Sequence, residues 1–125
     1  MTAACHCRGC QVMSASAFSL TAMVPPAGFR VVSGTPVQGG LKGPDLQHMF
    51  CPSCMSWMFT HITGIDAFVN VRPSLFEGWT GFTPFIETMT AEKLPWAQTP
   101  AKYSYPGFPK AEEFGPLIED FKGAF

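Results

Sequence analysis

Apolar and polar positions change over along this chain in short runs, and most runs carry the two-residue period of a strand. Residues 18–24 are apolar enough for a buried strand. Residues 29–33 (Phe-Arg-Val-Val-Ser) alternate and are β-branched, which predicts another. Residues 47–50 read as a strand that leads into Cys51. Trp57, Phe59 and His61 alternate on one face of a returning strand. Residues 67–72 place Phe68, Asn70 and Arg72 on one face of a further strand, and residues 85–89 predict a short one. Turn chemistry separates these runs: Pro25-Pro26-Ala27-Gly28, Gly34-Thr35-Pro36, Gly39-Gly40, Pro44-Asp45 and Thr63-Gly64-Ile65-Asp66. Residues 73–81 read as loop. Leu94-Pro95-Trp96 reads as an aromatic plug held by proline, with Trp57 and Trp96 in the core. Residues 103–109, rich in aromatics and proline, are expected to lie over the surface. Only residues 112–125 show a helical period, through Phe114, Leu117, Ile118 and Phe121, with Gly115-Pro116 weakening the start. The pattern predicts a mainly β fold with short loops and a C-terminal helix.

Length and composition narrow the class. A chain of 125 residues is expected to form one domain over 1–125. Twelve each of proline, glycine and phenylalanine fit short strands, many turns and an aromatic core. Charged residues are 14% and the net charge is −1, so the chain lacks the basic surface that nucleic acid demands. No apolar run is long enough for a bilayer. The opening Met-Thr-Ala-Ala-Cys has neither the charged nor the apolar region of a signal peptide. A reducing, cytoplasmic setting is the expectation. High apolarity with low charge also points to a homo-oligomer.

All five cysteines fall into two short motifs, Cys5-His6-Cys7-Arg8-Gly9-Cys10 and Cys51-Pro52-Ser53-Cys54. In an extended segment Cys5 and Cys7 point to one side. The spacing from Cys7 to Cys10 is that of a tight turn, with Gly9 supplying its freedom. Three soft thiolates converging in a reducing compartment suit zinc better than a disulfide. Three protein ligands leave a fourth position open. Three thiolates also make the ion a weak acid toward water, so the site favours thiol chemistry over hydrolysis. The Cys51-x-x-Cys54 pair has the look of a zinc knuckle between two strands. Spacing leaves another arrangement open, in which Cys51 and Cys54 share one closed site with two upstream thiols. His6, between two ligands, should face away from the metal and sit at the surface or in packing. His48 and His61 flank the second pair and are more often plain strand residues. Ser14, Ser16 and Ser19 can line a polar pocket or simply be solvated. Arg8, Arg30 and Arg72 are candidate partners for a carboxylate-bearing ligand.

Cys-His-Cys-x-x-Cys, a Ser-x-Ser-Ala-Phe-like stretch, Phe-Arg-Val-Val-Ser-Gly, Phe-Cys-Pro-x-Cys and Leu-Pro-Trp follow one another in the order seen in the glutathione-dependent formaldehyde-activating enzymes. The chain resembles that family from about residue 4 to 109. The resemblance implies an Mss4-like, zinc-containing β-sandwich. It implies a carbon–sulfur lyase that joins glutathione, or another small thiol, to formaldehyde or a similar aldehyde. Cys5, Cys7 and Cys10 would be its catalytic zinc site. Cys51 and Cys54 would be half of a structural four-cysteine site whose other half is an earlier C-x-C strand that this sequence lacks. Two residues depart from the family: Ala15 and Met55 stand where it often has glycine. Relatives with no established substrate, and Mss4-like modules that bind zinc without catalysis, are the alternative readings.

Overall fold

A computed structural model describes residues 1–124, and at position 42 the main chain alone. The described residues are mainly β. In chain order the strands are β1 (Thr2–Cys5), β2 (Ser19–Val24), β3 (Val37–Gly43), β4 (Leu46–Phe50), β5 (Trp57–Ile62), β6 (Ile65–Val71), β7 (Ile86–Thr88) and β8 (Tyr103–Ser104). The α-helices are α1 (Arg8–Ser14) and α2 (Phe114–Gly123). No helix among the described residues is long and apolar enough to cross a membrane.

The chain divides into two compact units, one of residues 21–82 and one of residues 1–20 with 83 onward. The first of these is an antiparallel ladder in the order β3-β4-β5-β6, with the end of β2 against β6. Its hairpins turn where turn residues predict. Pro44-Asp45 joins β3 to β4, and Thr63-Gly64 joins β5 to β6 with Gly64 at φ +81°. The buried face of β5 and β6 supplies Phe59, Val69 and Val71, with Phe29, Val24, Met49 and Met58 packed against them.

Two expectations fail in this unit. Residues 29–33 are not a strand. Alternation reports fit to a pleated, half-buried surface rather than a backbone preference. Phe29 meets that need alone, edge-on to Phe59 at 4.8 Å, while Val31 and Val32 face solvent, Val32 with 79% exposure. Gly39 and Gly40 are likewise not a turn but part of β3. A side chain at Gly39 would start 3.2 Å from the Phe50 ring on the neighbouring strand. Gly40 has φ +71° beside a shift in register, the conformation of a bulge.

The other unit is parallel. β1 pairs with β7 in the register Ala4↔Glu87 and Cys5↔Thr88, and β7 pairs with β8. Ala3, Ile86 and Leu117 form its core, with Met1, Phe85, Tyr103 and Tyr105 around them. α2 is where its period predicts, and Phe125 lies outside the described residues. Gly115 and Pro116 fall in its first turn, where a missing N–H costs nothing. The stretch 103–109 is more built in than expected, since Tyr103 and Ser104 form β8 and Pro109 is buried. Trp96, expected in the core, is 72% exposed; Ala97 is buried in its place.

Candidate metal centre

Cys5 closes β1, and the His6 N–H continues the ladder to the Thr88 carbonyl at 3.0 Å. The chain then enters a helix rather than the expected tight turn. Cys7 is the N-cap of α1, with φ −62° and ψ 153°, and its Sγ accepts the Cys10 N–H at 3.3 Å. A cap residue of this kind satisfies a donor that the first turn leaves unpaired. Cys10 therefore returns toward Cys7 by one helical turn, and Gly9 needs no left-handed φ to allow it. The Ser14 hydroxyl donates to the Cys10 carbonyl at 2.6 Å. The helix ends in a Schellman motif: Ser16 N–H reaches the Gln11 carbonyl, Ala15 N–H the Val12 carbonyl, and Ala15 has φ +50°.

The three Sγ atoms lie within 4.8 Å of one another, and all three residues are half-buried. Tetrahedral sulfurs around zinc, with bonds near 2.3 Å, stand about 3.8 Å apart, so the donor set fits such an ion. All five cysteines are free thiols. The trio is unequal. Cys7 is held well below the usual thiol range, first by hydrogen bonding from Cys10, then from Cys5 and the helix N–H groups. Cys10 is pushed up by Cys5, Cys7 and burial. Cys5 feels a lowering from Cys10, but Cys7 and burial outweigh it. The buried Ser19 hydroxyl lies beside Cys10 and favours its thiolate. Ser14 is taken up by the helix, and Ser16 is exposed at its end.

His6 faces away from the sulfurs, as alternation requires, yet it is fully buried rather than at the surface. Its Nε2–H donates to Glu87 Oε2 at 2.8 Å, and Phe18 sits edge-on at 5.3 Å. Nothing in the sequence singles out Glu87. A single acidic residue in a three-residue strand carries no pattern, and its partners are 6 to 81 residues away. Gln11, also buried, donates to the carbonyls of His6 (2.8 Å) and Glu92 (3.0 Å). Arg8 is exposed, with its guanidinium 3.4 Å from Gln11 Oε1.

The second cysteine pair belongs to the other unit. Cys51-Pro52-Ser53-Cys54 forms the turn from β4 to β5, closed by Met55 N–H to the Cys51 carbonyl (2.9 Å) and Cys51 N–H to the Ser56 carbonyl (3.0 Å). Met55 has φ +58°. Cys54 is exposed, and Ser56 Oγ at 3.2 Å lowers its thiol pKa. His48 is buried with Nδ1 against Thr60 Oγ1 (2.9 Å), and His61 is edge-on to Phe59. Arg72 is buried and stacked 4.0 Å over Trp57, which is half-buried, whereas Arg30 is exposed.

This geometry coincides with a family assignment. The glutathione-dependent formaldehyde-activating enzyme family matches residues 1–92. The chain belongs to this family. The matched segment contains both cysteine motifs; Leu94-Pro95-Trp96 lies beyond it. No curated protein matches the chain.

Proposed function

We propose that Cys5, Cys7 and Cys10 hold a zinc ion and that this family member adds a small thiol to a small aldehyde, with glutathione and formaldehyde as the leading pair. The convergence of three half-buried sulfurs on the β1–α1 junction is the observation that carries the reading. Zinc held by three thiolates supplies a fourth position at which a further thiol is acidified. In the addition, the substrate sulfur forms the new bond to the aldehyde carbon, and the carbonyl π pair moves to oxygen, which takes up a proton. The thiol's own proton leaves to solvent. The chain's part is to present its three sulfurs together: Cys10 is fixed through the α1 backbone and Cys5 through the ladder with Thr88. Arg8, exposed one residue after Cys7, supports the choice of glutathione, as a cation able to meet its carboxylate. The buried, stacked Arg72 is poorly suited to that role.

The test is Cys7→Ala. Zinc per chain, and exchange between formaldehyde and glutathione followed by NMR against an enzyme-free control, should both fall to background. Retention of both would sink the reading. Zinc loss on Cys7→Ala, with no exchange above the control in the wild-type protein, would leave a non-catalytic zinc module instead.

A further inference from the structure

Glu87 is a carboxylate in a place that ordinarily disfavours one. It is buried on β7, directly opposite Ala4 and one register position from Cys5. A buried carboxylate is tolerated only when its oxygens are fully hydrogen-bonded. Here Oε1 accepts from Ser104 Oγ (2.6 Å) and Lys93 Nζ (3.4 Å). Oε2 accepts from His6 Nε2 (2.8 Å), Thr99 Oγ1 (2.9 Å) and Lys93 Nζ (3.3 Å). Four side chains from separate parts of the unit thus meet on one group.

What this network grips is the residue between two sulfurs. His6 is held at three points: its N–H by Thr88, its carbonyl by Gln11 and its ring by Glu87. Since adjacent residues of an extended segment point to opposite sides, fixing the His6 ring on one side fixes Cys5 and Cys7 on the other. An apolar pair could fill the same space, but it would not set the angle of the ring. Groups hydrogen-bonded directly to a metal ligand typically change metal affinity by about 10–100-fold; Glu87 reaches the ligands through His6, so the lower end of that range is expected.

We infer that Glu87 is a positioning residue for the three-cysteine centre, acting through His6 to hold Cys5 and Cys7 at ligating separation. The inference rests on the metal reading of those cysteines. It also makes Ser104 and Thr99 contributors at one remove, because each orients the carboxylate.

The experiment compares wild type, Glu87→Gln and Ser104→Ala on two readouts. One is zinc affinity, by competition with a chromophoric chelator. The other is the absorption spectrum of the cobalt-loaded protein, whose intensity reports the geometry of the sulfur ligands. Circular dichroism checks the fold. Glu87→Gln should lose about 10-fold in affinity and show a changed cobalt spectrum with the secondary structure intact. Ser104→Ala, which removes one hydrogen bond and should fold even if Glu87→Gln does not, should move both readouts in the same direction by less. Wild-type affinity and an unchanged spectrum in a folded Glu87→Gln protein, or in Ser104→Ala where Glu87→Gln fails to fold, would overturn the inference and leave the metal reading standing. A wild-type chain that takes up neither zinc nor cobalt would overturn both. A chain that binds metal but catalyses nothing removes only the enzymatic reading.

Discussion

Ala15 and Met55 are the two positions where this chain departs from the glycine often found in the family, and both have left-handed backbone, φ +50° and +58°. A residue with a Cβ pays about 1–2 kcal/mol in that region, and glycine loses part of the difference through its freer unfolded state. Met55 is exposed, so its side chain gives little packing in return. Met55→Gly is therefore expected to stabilise the protein by up to about 1 kcal/mol, read as a higher urea midpoint at unchanged slope. A lower midpoint would mean that the Met55 side chain has a contact that compensates. Glu87 gives the second prediction at this scale. Burial pushes its carboxyl up, but Ser104, His6, Thr99 and Lys93 together pull it down to about 2, from 4.5 for a free carboxyl. Its pKa is depressed on folding, so its contribution is complete above 4.5 and is lost as pH falls from 4.5 toward 2. At 1.36 kcal/mol per unit, at most about 3 kcal/mol is involved. Urea unfolding between pH 6 and pH 3 should show a smaller fall in stability for Glu87→Gln than for wild type. Parallel pH profiles would mean that the carboxylate is no better off folded than unfolded.

Elements were legible where a local rule was strong enough to stand alone. The α2 period, the Pro44-Asp45 and Thr63-Gly64 turns and the strand β6 all follow from residues close in sequence. Local rules fail where a partner decides. Phe29 to Ser33 have the alternation of a strand but no strand paired with them, and Gly39 has turn composition because the Phe50 ring leaves little room for a side chain. For α1 the sequence offers a tight turn and then a loop or short helical turn, because its seven residues are set by their ends: Cys7 caps the first turn and Ala15 closes the last. For α2 the amphipathic reading leads to a number. Leu117 is its buried residue and meets Ala3 and Ile86, with Phe121 edge-on to Phe85 at 5.3 Å. Leu117→Ala should cost about 2–5 kcal/mol, measured by equilibrium unfolding. A loss below about 1 kcal/mol would mean that the strands of this unit close up without the helix, since a relaxed cavity loses the smaller part of that range.

Over the whole molecule, the candidate site was legible further than the network that supports it. Cys5, Cys7 and Cys10 announce themselves by spacing, because sulfur ligands must come from a short segment if they are to converge without a long loop to close. Glu87, Thr99 and Ser104 leave no such trace, since they come together from distant positions, Ser104 through the β7–β8 register and Thr99 through its hydroxyl. The same distinction bears on the two cysteine motifs. The trio needs only its own junction, with each sulfur fixed by the ladder, the cap or the first turn of α1. Cys51 and Cys54 sit on the turn between β4 and β5 in the other unit, and two thiols fall short of the four ligands of a structural zinc site. Elemental analysis of protein purified under reducing conditions without added metal should therefore find about one zinc per chain, and the Cys51→Ser/Cys54→Ser double variant should keep it. Retention leaves the three-cysteine centre self-sufficient, with a position free for a thiol. Loss of zinc from the double variant would mean that both motifs serve one closed site, and a closed site has no room for the chemistry proposed here.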